Sequence, residues 1–388
     1  MKIDDNQFTC PNAKCIFFRK PSEGNIFYRS MTGKKKNIMR LKCTKCTKEF
    51  SERRGTLLER AHIDEDKETM MLKCFRWGVP DQGIADIAKV DIKTVRLFQE
   101  KCANRAKEHH NQEIRNLKNQ GVQMDEAHTK IQGKGAHWTA MAIAMQSLII
   151  IGFSSGSRDQ LLANRLLAEV AVRIKKVSIF LTDGWKPYVK GIYRFFGIKE
   201  RKNKYRKMKK LKKEPMKCQL RNNGMYAQVV KKRKNRKVVQ VIQRAVFGKA
   251  EACLNYIREK SLGVHIHTIH IERLFGTIRL RLPTWRRRGR CCSKLKKRHD
   301  EKLNIFIDLY NWVWPHSSLK NRVPAEVEGL IDRGLSYKDY IWLKVHPDTQ
   351  KNAYYEREKK RKLEKGKILK LPKLKELYDE VTREEMAC

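Results

Sequence analysis

Trp138-Thr-Ala-Met-Ala-Ile-Ala-Met-Gln-Ser-Leu-Ile-Ile-Ile-Gly-Phe153 is the stretch whose reading decides the fold. Ala140–Met145 and Leu148–Ile151 are nearly continuous apolar runs, the pattern of strands buried on both faces. Gln146-Ser147 between them fits a tight hairpin. Working outward, Val122–Thr129 reads as a preceding strand. On the other side Ser154-Ser-Gly-Ser caps a helix over Arg158–Val172. Val177–Leu181 is a further buried strand that runs out at Asp183, and Pro187 sits near the first turn of a helix reaching Phe196.

Three consecutive strands, a helix, a strand and a helix predict an α/β fold, a ribonuclease H-like mixed sheet flanked by helices. The first and fourth strands of that sheet lie side by side. Asp125 and Asp183 then become neighbours at strand ends, a usual place for chemistry in an α/β sheet. A third acid comes from His270-Ile-Glu-Arg-Leu-Phe-Gly-Thr-Ile-Arg279. Ile271, Leu274, Ile278 and Leu282 form a helical apolar stripe, while Glu272, Gly276 and Arg279 share another face. A carboxylate and a guanidinium with only glycine between them suit a metal ion with a phosphate beside it. Asp125, Asp183 and Glu272 are therefore expected to cradle two divalent cations. Arg279, and with it Arg273, is expected to steady a phosphate. Glu126 competes with Asp125, because successive strand residues face opposite sides and only a bulge would bring both to one site.

The chain of 388 residues carries 87 Lys and Arg against 42 Asp and Glu, a formal charge of +45. Self-repulsion of that size is relieved by a polyanion, with nucleic acid ahead of an anionic membrane surface. No apolar run approaches the roughly 20 residues of a bilayer span. Met1-Lys-Ile-Asp-Asp-Asn-Gln-Phe8 is not followed by the apolar stretch of a signal peptide. A cytoplasmic location is expected, nucleoid-associated if the host is prokaryotic, with no membrane partner.

Residues 1–55 read as a zinc ribbon. Cys10 and Cys15, then Cys43 and Cys46, form two close pairs that can supply four thiolates to one Zn2+. Residues 56–108 read as a helix-turn-helix module: a helix over Glu65–Trp77, a break at Gly78-Val-Pro-Asp81, a second helix, and a third beginning Lys93-Thr-Val-Arg. Lys93, Thr94 and Arg96 would face DNA from that third helix. Residues 109–330 form the catalytic domain, interrupted by a basic insertion at 199–245 that tracks phosphates. Arg286, Arg287 and Arg288 add a second basic stretch after Trp285, a residue better suited to packing than to stacking on a base. Cys74 and Cys102 read as core residues, and His265 with His267 as a structural pair. Residues 331–388 read as a charged C-terminal tail.

These residues together resemble an insertion-sequence transposase of the DDE class, from Cys10 to about Gly329. The likeness rests on the cysteine ribbon, Phe50-Ser-Glu-Arg-Arg-Gly-Thr56, Val122-Gln-Met-Asp-Glu126 and Leu181-Thr-Asp-Gly184. It continues in His267-Thr-Ile-His-Ile-Glu-Arg-Leu-Phe-Gly-Thr-Ile-Arg279, Tyr310-Asn311, Pro315-His-Ser-Ser-Leu319 and Pro324-Ala-Glu326. The resemblance implies Asp125, Asp183 and Glu272 as a triad for two Mg2+ ions. It leaves Glu126 as the ion-pair partner of a Lys or Arg, pointing away from the site. It also implies recognition of element ends by residues 1–108, cleavage and transfer of DNA strands, and at least a homodimer. The rival readings are a nuclease or resolvase that cuts without joining, and a DNA-binding regulator with an inactive core.

Overall fold

In the computed structural model the described residues are 8–20, 23–33, 37–117, 120–133, 136–198, 219–235, 237–286, 292–345, 359–360, 363 and 379–381. They fall into two compact units.

The first unit is built from Met1–Cys74, Asp81–Arg105 and Leu335–Pro347. Its sheet has three antiparallel strands, β1 (Ile26–Thr32), β2 (Ile38–Cys43) and β3 (Glu49–Ser51), in that order. Phe8, Ile26, Leu41 and Phe50 pack with the cysteines beneath it. Three helices follow: α1 (Glu65–Trp77), α2 (Asp81–Ala88) and α3 (Ile92–Glu113). Glu65, Asp66 and Glu68 occupy the first turn of α1, where the unsatisfied backbone N–H groups favour negative charge. Met71 and Leu72 of α1, Ile84 and Ala85 of α2, and Val95 and Phe98 of α3 are all buried. Cys74 and Cys102 are buried as well.

The segment expected to begin a charged tail is instead part of this unit. Ser336 and Asp339 close a capping box at the start of a short helix, Tyr337–Trp342, whose Tyr340 and Ile341 are fully buried. Arg105 donates to the carbonyls of Tyr340 and Leu343 at 2.7 and 2.9 Å, and Leu57 N–H donates to Ile341 O at 3.1 Å. Its apolar run, Tyr340-Ile-Trp-Leu343, is only four residues long and stands before a heavily charged stretch. Most of the chain beyond Val345 lies outside the described residues.

The second unit holds a mixed α/β sheet flanked by helices. Its elements are β4 (Gln120–Thr129), β5 (His137–Ala144), β6 (Ile150–Gly156), α4 (Gln160–Arg173), β7 (Val177–Asp183), α5 (Lys186–Phe196), β8 (Met225–Lys234), β9 (Lys237–Phe247), α6 (Ala250–Glu259), α7 (Ile269–Arg281), α8 (Lys296–Trp312) and β10 (Asp379–Val381). The strand order is β10-β9-β8-β7-β4-β5-β6. β7 runs parallel to both β4 and β8, and the remaining neighbours are antiparallel. Ile271, Leu274 and Ile278 of α7 pack with Leu303, Phe306 and Ile307 of α8 against Met141 and Ile143 of β5. Cys253 and Ile257 of α6 pack with Ile179 of β7 and Ala227 of β8.

Residues 225–234 are thus a sheet strand, not an inserted arm, and β9 at Lys237–Phe247 matches the further strand that the apolar residues of Val238–Phe247 suggest. The buried half of β8, Tyr226–Val229, is followed at once by Lys231–Lys234, and the lysine run masked the strand. Residues 199–218 of the expected insertion lie outside the described residues. Likewise α8 begins at Lys296, earlier than its apolar half suggests, because Lys296–Asp300 and Arg298–Glu301 pairs support its first turns. Trp285 is buried between Phe275 and His299, so it packs within the protein. At the break after α1, Gly78 has φ +69°, and a Cβ there would strike the Arg281 carbonyl, so only glycine fits.

β6 carries a bulge at Ile151, where its register against β5 shifts. The Asn311 carboxamide accepts from Ile150 N–H at 2.9 Å and donates to Ile150 O at 3.1 Å, and His110 Nε2 lies 2.9 Å from Ile151 O. Burial holds His110 down to about pKa 3, so it is neutral and can make that bond as a donor at Nε2.

Candidate functional site

Two clusters among the described residues can hold a metal ion. The first is the cysteine cluster. Its two pairs come from two tight turns, each closed by a residue in the left-handed region: Arg19 at φ 58° after the first pair and Thr47 at φ 58° after the second. Arg19 N–H donates to Cys10 O at 3.1 Å and Thr47 N–H to Cys43 O at 2.9 Å. Cys10 Sγ lies 3.5 Å from Cys46 Sγ, and Cys15 Sγ lies 3.9 Å from Cys43 Sγ. A tetrahedral ion with Zn–S of about 2.3 Å places its sulfurs roughly 3.8 Å apart, so the four thiols fit zinc. Asn25 Nδ2 donates to Cys43 Sγ at 3.2 Å and helps aim that ligand.

The second cluster lines a cleft of about 930 Å³ in the sheet unit. β4 pairs with β7 only as far as Met124, opposite Thr182. Beyond that point β4 overhangs its parallel neighbour, while β5 still supports its other side. Asp125 and Glu126 lie on this overhang. With no strand beside them on the β7 side, side chains leaving opposite faces can both fold over that open side. Asp183, the last residue of β7, meets them there. Ligand oxygens of Asp125, Glu126 and Asp183 all lie within 4.8 Å of one another.

Glu126 does form the ion pair expected of it, since Arg158 Nε donates to Glu126 Oε1 at 2.9 Å. It does not point away, however. No bulge is needed, because the overhang replaces it. Glu126 is 8% exposed, and its Oε2 has no hydrogen-bond partner. A buried carboxylate oxygen left in this way is costly unless a cation or proton reaches it. Burial pushes Asp125 up to about pKa 7, with the charges of Asp183 and Glu272 adding to the shift. Burial pushes Glu126 up to about 8, with Asp183 again adding. Burial raises Asp183 too. Three crowded acids that resist ionising, one with an orphaned oxygen, fit a divalent cation with hard oxygen preferences such as magnesium.

Glu272 lines the same cleft from α7, outside this tightest cluster. Its Oε1 accepts from Lys231 Nζ and from Thr268 Oγ1, each at 3.0 Å. A Cβ built on Gly276 would meet nothing within 4 Å beyond its own helix, and Arg279 also lines the cleft, as the helical spacing requires. Lys231 and Arg233 of β8 line the cleft as well. Asp125 Oδ1 accepts from Glu126 N–H at 2.8 Å and Asp183 Oδ1 from Trp185 N–H at 3.0 Å, which orients both acids. The Arg158 guanidinium lies 4.8 Å from the Trp138 ring centre and 5.1 Å from that of Trp185.

The remaining expected residues are dispersed. Lys93 is exposed and Thr94 half-buried at the start of α3, where Arg96 Nε lies 3.7 Å from Asp81 Oδ2. Arg273 and Arg286 are exposed, and neither lines the cleft. Arg287 and Arg288 lie outside the described residues. His265 and His267 sit on a loop, not a strand, with His267 Nε2 2.7 Å from Leu262 O. Sequence reasoning missed Arg158, Lys231, Arg233 and Thr268. Lys231 and Arg233 were visible only as members of a charge run.

No model of a known protein family matches the chain, and no curated protein matches it. No helix of the described residues is long and apolar enough to cross a membrane.

Proposed function

We propose that the chain is a DDE-type DNA transposase of the insertion-sequence class, which binds element ends and catalyses metal-dependent strand cleavage and strand transfer. One observation carries this reading. Acids from β4, β7 and α7 line one cleft together with cations, among them Lys231, Arg233 and Arg279. Carboxylates alone would serve a metal for many ends. Carboxylates sharing a cleft with these cations serve a metal together with a phosphodiester. The strand order β6-β5-β4-β7-β8, with the acids at the ends of the adjacent parallel pair, supports the ribonuclease H-like reading of the sheet.

In this reading Asp125, Glu126 and Asp183, with Glu272 of the same cleft, would hold the magnesium ions, and Lys231, which pairs with Glu272, would contact a phosphate. Two bound magnesium ions would supply activation of the attacking oxygen and stabilisation of the leaving oxygen. Arg279 and Arg233 bind the non-bridging phosphate oxygens. Arg158 keeps Glu126 in place through its pairing and its contact with both tryptophans. The zinc-held sheet and helices α1–α3 recognise the element ends, with Lys93 and Thr94 towards DNA. Cutting at two ends calls for a homodimer or larger assembly.

The test uses the full chain, magnesium and the DNA that flanks its own gene. Asp183→Ala should abolish cleavage and joining while leaving binding within about twofold, since binding draws on the +45 charge and not on this acid. Cleavage by the Asp183→Ala protein would sink the proposed chemistry. Wild-type cutting without joining would assign a nuclease or resolvase. Binding with neither would assign a regulator.

A further inference from the structure

β8 pairs with β7 only through Val229, and β10 covers β9 only at Gln243–Ala245. Beyond those points Val230–Lys234 and Lys237–Ile242 have, among the described residues, no strand neighbour but each other. They form a free two-stranded ribbon about 15 Å long. Directly opposed residues share a face. Lys231 lies opposite Val241 and Arg233 opposite Val238, and this is the face that walls the cleft. Lys232 opposes Gln240 and Lys234 opposes Lys237 on the other face. The register shift between Lys232 and Arg233 leaves Val239 as an extra residue, a bulge that sharpens the local twist. Val238, Val239 and Val241 are 46%, 57% and 39% exposed.

Exposed valines on a ribbon with two open edges would ordinarily invite pairing with another strand. A second copy of this chain is a poor occupant. It would bring Lys231, Lys232, Arg233, Lys234 and Lys237 against the same five cations. A polyanion matches the charge. A two-stranded ribbon also fits the major groove of duplex DNA, about 12 Å wide. Lysines and valines read phosphates and the groove wall, not base identity.

We propose that this ribbon is a sequence-independent DNA clamp, which enters the groove beside the cleft and holds the duplex so that one strand passes over Asp125, Glu126 and Asp183. The proposal rests on the DNA reading above. It adds a second contact surface, separate from the zinc-held sheet and α1–α3, that acts on any sequence.

The experiment measures affinity for a labelled random-sequence duplex as a function of salt. The substituted side chains are all exposed, and circular dichroism checks that each variant is folded. Replacing Lys232, Lys234 and Lys237, none of which lines the cleft, together with Ala should flatten the slope of log affinity against log salt by about 2 to 3. Val238→Ser with Val239→Ser should weaken binding roughly fivefold at an unchanged slope. A photo-crosslinker placed at Val239 should attach to DNA. An unchanged slope in the three-lysine variant overturns the clamp while leaving the transposase reading intact. So does a Val239 crosslink to a second protein chain. Failure of the wild-type chain to bind duplex at all overturns both readings.

Discussion

The cysteine cluster and the carboxylate cluster both present metal ligands, but they stand in opposite relations to the fold around them. Cys10, Cys15 and Cys43 are themselves a large share of the small core they occupy, beside Phe8, Ile26, Leu41 and Phe50. Without an ion that core is too small to hold three short strands. Asp125, Glu126 and Asp183 hang from the edge of a large sheet whose core is apolar and complete without them. There the surrounding packing forces acids together against their own repulsion. In the first region a metal would complete the core, whereas the second region makes a place for a metal without needing one to fold.

Four measurements bear on that contrast. The largest effect is expected at zinc. Cys43→Ser, or chelation, should unfold β1–β3, because structural zinc binding is worth on the order of 10 kcal/mol. Hydrogen exchange should show loss of protection there while β4–β9 stay protected. Retained protection of β1–β3 without zinc would erase the distinction.

The next effect is on metal binding at the cleft. Glu126→Ala should weaken magnesium binding by about 10–100-fold and reduce cleavage accordingly. The alternation of a regular strand implies a much smaller loss, so the overhang of β4 is directly at stake.

A third effect runs against the usual direction for a buried substitution. The raised pKa values of Asp125 and Glu126 mean that the metal-free fold is favoured when both are protonated. That stability is fully present below the unfolded values near 4, and it is lost as pH rises through about 7 to 8. Glu126→Gln should therefore stabilise the metal-free protein at pH 8 by roughly 1–3 kcal/mol, and the gain should vanish at pH 4. Denaturant titrations at the two pH values give the difference. A loss of stability at pH 8 would mean the Arg158 pairing outweighs burial.

The smallest effect concerns Lys231. Its pair with Glu272 is exposed, so Lys231→Met should change stability by less than about 1 kcal/mol while lowering DNA cleavage. A large shift in melting temperature would instead make the pair a structural element of the cleft.

The same contrast explains what could be read from the chain. The cysteine pairs are local, so spacing alone announces them. The adjacency of Asp125 and Asp183 followed from the order of apolar runs, since buried strands leave a strong signal. Glu126 was misplaced because alternation along a strand says nothing about where a neighbouring strand stops. The outer half of β8 was lost in a lysine run, because a ribbon exposed on both faces has no apolar period to detect. Tyr340 and Ile341 were overlooked because the apolar run Tyr340–Leu343 is too short to show a helical period.

The border strand β6 illustrates a further outcome of these contacts. Asn311 offers Ile150 the donor and acceptor that an adjoining peptide unit would offer, and His110 engages the Ile151 carbonyl. One side-chain amide from α8 thus imitates a missing strand on the outermost row of the sheet. At this point sheets of separate molecules cannot knit together edge to edge. Colloidal behaviour, as well as chemistry, is written into Asn311.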